Sequence, residues 1–216
     1  MKKVKLTTNQ LKRMPSYLDL LRRLSSNGMK YISCQTIADC LSLNKEQVRK
    51  DIALVSNIDG VPNRGRDISI LIKDIETSLG MDNSNNALLV GVGSLGTALL
   101  NFNGFSNYGL KIVAAFDNNP SLIGKTVNCI PIYNIDSLEE LTKTTLSNVH
   151  IGIITVPHGV AQEICDKLVS CGMNGIWNFA PVSLDVGENT IVSNMDMASS
   201  LATLSHKLYL KNKKGL

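Results

Sequence analysis

The sequence predicts an α/β chain in two parts, because charge, apolar periodicity and glycine spacing all change character near residue 80. Residues 1–66 carry 13 Lys and Arg against 5 Asp and Glu, while residues 67–216 carry 9 against 13. Apolar residues recur at helical spacing in the first part. In the second, short apolar runs alternate with helical ones, as in a parallel sheet covered on both faces. The first of those runs enters the turn Gly91-Val92-Gly93-Ser94-Leu95-Gly96. The fold class that follows is an N-terminal winged helix-turn-helix over residues 1–80 and a Rossmann-type parallel sheet domain over 81–195, with a further helix at 196–216.

In the basic head, Leu11, Met14, Leu18, Leu21 and Leu24 mark a helix from residue 8 to about 26, opened or kinked by Pro15 and ended at Asn27-Gly28. Tyr31-Ile32 reads as a short extended piece. Ser33 then caps a helix carrying Ile37, Ala38 and Leu41. Asn44 caps the next, Lys45 to about Val55, with Val48, Ile52 and Val55 inward. The helix-turn-helix spans about residues 17–56. The Gly-, Pro- and Asn-rich stretch 57–66 reads as a wing, Ile68 to Leu79 as a linking helix stopped at Gly80, and residues 82–86 as the domain boundary.

Beyond the boundary, strands are expected at 87–92, 111–117, near 130–133, 149–156, 175–179 and near 190–193. Helices are expected at 95–102, 136–146 and 160–171, with Asp136 and Glu139 at capping-box spacing. The terminal helix, Asp196 to about Lys211, carries an apolar stripe of Leu201, Ala202, Leu204 and Leu208. That stripe needs a cover beyond the sheet domain.

With 44% hydrophobic and 19% charged residues the chain has the balance of a globular protein, and no apolar stretch approaches the ~20 residues of a bilayer span. The basic start lacks the apolar segment of a signal peptide, so a cytoplasmic protein is expected. Cys34, Cys40, Cys129, Cys165 and Cys171 are odd in number and form no C-x-x-C pair, against both a disulfide scaffold and structural zinc. They are expected to be buried free thiols. No Ser-His-Asp, Cys-His or metal-ligand spacing emerges, so neither catalytic nor metal-binding residues are expected.

The glycine turn has the chemistry of a dinucleotide site. Gly91 permits the tight strand-to-helix turn, Gly93 lets a pyrophosphate approach the backbone, and Gly96 lets the helix lie close to the sheet. The phosphates would sit on the helix N-terminus over Val92, Ser94 and Leu95. Asp117, ending the next strand, would accept from the adenosine ribose hydroxyls and repel a 2'-phosphate, which favours NAD over NADP. Thr155, Val156 and Pro157 end the strand across the topological switch point. His158 follows and reads as a surface residue. In the head, Arg49 and Lys50 suit guanine edges or phosphates in a major groove. Gln47 either reads a base there or belongs to a capping box with Asn44. Arg64 and Arg66 on the wing could enter a minor groove.

Taken together, Gln47-Val48-Arg49-Lys50-Asp51, the run from Val90 to Phe105, KIVAAFD ending at Asp117, Thr155-Val156-Pro157, Asn178-Phe179-Ala180-Pro181-Val182 and Asn194-Met195-Asp196 resemble the Rex family of redox-sensing repressors. The resemblance covers nearly the whole chain. It implies a homodimer with a domain-swapped C-terminal helix, double-stranded operator DNA as partner, and NADH/NAD+ as cofactor with Asn178 added to the cofactor residues. It further implies that NADH closes the two sheet domains about the dimer axis and moves the recognition helices out of register with half-sites about 34 Å apart. The wing keeps only Arg64-Gly65 of the family's Arg-Gly-x-Gly-Tyr ending. Asp19 and Phe102 stand where members carry Arg and Tyr in a redox-responsive contact with the residue matching Asp196. An Asp19–Asp196 approach would be repulsive, which implies an altered NADH response. The rival readings are an NAD-dependent oxidoreductase, which would need an acid/base residue and a substrate domain, and a CoA- or nucleotide-binding regulator.

Overall fold

A computed structural model describes residues 6–56, 60–61, 64–81 and 85–214. The chain divides into two compact units, residues 1–83 and 84–216. In the first, α1 (Thr8–Ser26) is capped by Thr7, whose side chain accepts from the Gln10 amide while Gln10 reaches back to the Thr7 amide. Pro15 lies inside this continuous helix. A strand, β1 (Tyr31–Ile32), leads to α2 (Cys34–Leu41), capped by Ser33, and a left-handed Ser42 turns the chain into α3 (Lys45–Val55), capped by Asn44. The second wing strand, β2 (Arg66–Asp67), pairs antiparallel with β1, and Asp67 caps α4 (Ile68–Ser78). Predicted wing residues 57–59 and 62–63 lie outside the described residues.

One core holds this unit together: Met14, Tyr17, Leu18 and Leu21 of α1 meet Ile37, Val48, Ile52, Ile68, Leu71 and Ile75. The expected linking helix is thus a wall of the head. Its apolar face at 68, 71 and 75 is buried, which a connector would leave wet.

The second unit begins with β3 (Asn85–Val90), so Asn85 and Asn86, expected in the boundary, are strand residues. Then come α5 (Ser94–Leu100), a 3-10 segment (Asn103–Tyr108), β4 (Leu110–Asp117), the hairpin β5 (Thr126–Val127) and β6 (Ile130–Asn134), and α6 (Leu138–Lys143). β7 (Val149–Ile154), α7 (Ala161–Ser170), β8 (Gly175–Asn178), β9 (Ile191–Asn194) and α8 (Met197–Lys214) complete it. The sheet order is β5-β6-β4-β3-β7-β8-β9, parallel except for the β5–β6 hairpin. The chain therefore reverses direction across the sheet between β3 and β7.

Alternation along β3 splits the interior in two. Leu88 and Val90 face Leu138, Ile164 and Leu168 under α6 and α7, while Ala87 and Leu89 face Leu100 and Phe105 on the α5 side. On that second side Phe102, Phe105, Trp177 and Phe179 form a row with centroid spacings of 4.8, 5.5 and 4.8 Å. Phe102, expected on the glycine-loop helix, sits just beyond α5 and is exposed.

Three local expectations change. The Asp136–Glu139 capping box is absent: Asn134 accepts from the Asp136 amide, and Glu139 pairs with Lys143 instead. Helix 136–146 is consequently a 3-10 turn followed by the shorter α6. Of the cysteines only Cys165 is buried; Cys40 and Cys129 are exposed.

Candidate functional site

The glycine turn builds one wall of a cleft of about 800 Å³ at the carboxyl ends of β3, β4, β6 and β7. Gly91 has φ +98°, and a side chain there would strike Thr155 and Val156 within 2.9 Å. Gly96 is tighter still: a Cβ would lie 2.0 Å from the Gly91 carbonyl oxygen. Gly93 differs from both, because the space around its would-be Cβ is open. That opening lies in the cleft, where a phosphate would approach.

Two side chains fix the loop. Thr155 donates its hydroxyl to the Val90 and Gly91 carbonyls at 3.0 and 2.7 Å, bridging the switch point. Asp117 accepts from the Val92 amide at 2.6 Å and the Asn119 amide at 2.8 Å. Each carboxylate oxygen keeps a further lone pair for a ribose hydroxyl.

Of the residues expected to hold a cofactor, Gly91, Val92, Gly93, Asp117, Thr155, Val156 and Pro157 line this cleft. Ser94, Leu95 and Gly96 stand behind it on the first turn of α5. Asn178 lies elsewhere. It is fully buried, donates to the Val182 carbonyl at 2.8 Å and to Asn194 at 2.9 Å, and accepts from the Ala180 amide at 2.9 Å, so it ties its own loop to β9. Sequence reasoning missed Asn134, Glu163 and Lys167 on the cleft wall, the last two ion-paired at 3.0 Å. Their i, i+4 spacing shows a helix pair but not which wall it forms.

In the head unit, Arg49 and Lys50 are exposed on α3, and Arg49 pairs with Glu46 at 2.9 Å. Gln47 does not close a capping box. Asn44 accepts from the Glu46 and Gln47 amides, while the Gln47 side-chain amide meets the Arg13 guanidinium, its oxygen assigned to that side because only donors face it, 2.9 to 3.3 Å from the three nitrogens. Arg13 in turn donates Nε and Nη2 to both oxygens of Asp51 at 2.7 and 2.9 Å, and Tyr17 donates its hydroxyl to Asp51 at 2.8 Å. Asp51 is only 2% exposed. Burial pushes its carboxyl up, but the hydrogen bonds from Arg13 and Tyr17 outweigh that and hold it below the usual carboxylate range. Burial and the bond to Asp51 push the Tyr17 phenol up to about 12. On the wing, the Arg64 guanidinium lies 6.0 Å from the Tyr31 ring centre, and Arg66 stands in β2.

The remaining expected residues stand on separate elements. Asp19 is exposed on α1, Phe102 packs edge-on against Phe105, and Asp196 caps α8 by accepting from the Ser199 amide at 2.8 Å. On α8, Leu201, Leu204 and Leu208 are 63, 64 and 57% exposed, an apolar stripe open to a partner.

Comparison with known proteins places both units. Residues 5–53 match the family described as "Putative DNA-binding protein N-terminus", and residues 82–182 the family described as "CoA binding domain". The redox-sensing transcriptional repressor Rex of Bacteroides fragilis is 41% identical over 92% of this chain and 89% of its own length. Crystal structures of RSP, a Rex-family repressor, match at 27–28% identity. The complex with beta-NAD+ and operator DNA has a TM-score of 0.86 over 98% of each chain, and the beta-NADH complex 0.83 over 97% of each. The chain belongs to the Rex family of redox-sensing transcriptional repressors.

Proposed function

We infer that this chain is a transcriptional repressor, not an enzyme, that binds operator DNA as a homodimer and releases it when NADH binds. The carrying observation is one chain that joins a basic helix-turn-helix to a glycine-loop cleft with room for a dinucleotide. Val92, Gly93, Ser94 and Leu95 would offer amides to the pyrophosphate, with Asp117 on the adenosine ribose and Thr155, Val156 and Pro157 on the opposite wall. Gln47, Arg49 and Lys50 would enter the major groove, with Arg64 and Arg66 on the wing beside it. Its action belongs in the cytoplasm, with the DNA it holds. No described helix is long and apolar enough to cross a membrane.

The test is a titration of operator DNA with and without NADH. At a coupling of about 3 kcal/mol, saturating NADH weakens operator binding roughly 150-fold, and by reciprocity the operator weakens NADH binding by the same factor. Equal operator affinity at both extremes sinks the reading. Lys50→Ala is expected to weaken operator binding and lower its salt slope by about 1 while leaving NADH binding unchanged.

The open stripe on α8 supports this helix as the dimer contact; that it is swapped between subunits, and that Asp19, Phe102 and Asp196 are the redox-responsive residues, is what the family resemblance implies. Leu204→Glu with Leu208→Glu is expected to sediment as a monomer and to lose roughly a hundredfold in operator affinity, because two half-sites no longer bind as one. The match of residues 82–182 to a CoA-binding family favours a second reading, a regulator that answers to CoA. Calorimetry with NADH, NADPH and CoA separates the two: Asp117 predicts binding of the first and rejection of the second.

A further inference from the structure

The side chain that decides which base Gln47 can read lies on another helix. Arg13 belongs to α1, yet its guanidinium serves two residues of α3: the edge carrying Nε and Nη2 goes to the buried Asp51, and the amide oxygen of Gln47, assigned to this side because only donors face it there, lies 2.9, 3.0 and 3.3 Å from Nη1, Nε and Nη2, over the guanidinium face. Tyr17, itself fully buried, donates to the same Asp51 oxygen as Arg13 Nε. A guanidinium fixed by two bonds to one carboxylate cannot swing, so the positive face it turns to Gln47 is stationary. That face attracts the amide oxygen and repels the NH2 group, which holds the Gln47 amide in one of its two orientations.

This has a chemical consequence for recognition. A free glutamine reads adenine with both ends of its amide, the oxygen accepting from N6 and the nitrogen donating to N7. With its oxygen turned toward α1, Gln47 retains only the NH2 group for DNA. We propose that Arg13 is a specificity-determining positioning residue, which restricts Gln47 to donating and so selects guanine, whose N7 and O6 both accept, over adenine. The proposal rests on the operator-binding function argued above and adds a residue that never touches DNA.

The experiment selects bound DNA from a random pool with the full-length protein, Arg13→Lys and Gln47→Glu, each first checked for folding by thermal melting. A lysine can neutralise Asp51 but has neither the planar fork for both of its oxygens nor a flat face to lie against the Gln47 amide. At one position of each half-site the natural chain is expected to enrich guanine, and Arg13→Lys to raise adenine relative to guanine roughly tenfold at that position alone. Gln47→Glu keeps an oxygen for Arg13 but presents an acceptor, and is expected to replace guanine with cytosine there. Should Arg13→Lys fail to fold, the natural chain decides at the position that Gln47→Glu alters: guanine there supports the proposal, and adenine overturns it. Base preferences unchanged in the folded variants, or affinity lost evenly over all sequences, overturn the proposal. A natural chain that enriches no sequence overturns the operator function first, and this proposal with it.

Discussion

Gly93→Ala is expected to melt at the temperature of the natural chain and yet bind NADH roughly ten- to a hundredfold more weakly, the equivalent of the ~1–3 kcal/mol that an extra methyl costs in a filled space. Nothing in the protein opposes a Cβ at Gly93, and its backbone lies in the extended region open to any residue. The methyl would occupy only the route of the pyrophosphate. Gly96→Ala is expected to lose both properties. Its Cβ meets the Gly91 carbonyl at 2.0 Å, and that carbonyl cannot retreat because Gly91 is held against Thr155. The strain falls on backbone, and a cost of about 3 kcal/mol in stability follows. Melting curves with and without NADH separate the two variants. A Gly93→Ala protein that binds NADH normally would remove the phosphates from this loop.

Asp51→Ala is expected to cost about 3 kcal/mol in the head unit and to abolish operator binding at protein concentrations where NADH binding persists. The loss comes from both sides: Arg13 and Tyr17 keep their donors but lose their shared acceptor, and α3 loses its polar tie to α1. The pH dependence follows from the same carboxylate. Because its folded value is depressed, the tie contributes fully above the unfolded carboxylate value of about 3.9, and the contribution is lost as pH falls through the lower folded value. Asp51→Asn keeps a partner for Tyr17 without the charge. It is expected to be less stable at neutral pH and to show a flatter decline below pH ~4 than the natural chain, measured by urea unfolding across that range. Equal slopes would mean that other carboxylates set the acid limit.

Much of this was legible from residue order. Caps and periodicity located α1, α2 and α3 nearly to the residue, because Ser33 and Asn44 act within three residues of themselves. The glycine loop was legible for a similar reason: its constraints are local backbone ones. Interactions across elements were harder to read. Asp51 appeared only as part of a motif, although it stands among Val48, Ile52 and Val55 on the inner face, where an acid must have a partner. Arg13 and Tyr17, four apart on α1, were the available signal. Asn178 entered the expected cofactor set through the family resemblance alone, and a buried asparagine that satisfies its own loop looks the same in sequence as one that meets a ligand. Asp136 lost its expected cap because Asn134, two residues earlier, reached the amide first.

The row of rings on one sheet face has a practical corollary. The chain has a single indole, at Trp177, seated between Phe105 and Phe179, so indole emission, excited beyond the tyrosine band, originates from the nucleotide half alone. Reduced nicotinamide absorbs where that indole emits, and quenching would gauge occupancy without any label. A change in that light when duplex is added, with no dinucleotide present, would then report a message passed from one half of the molecule to the other.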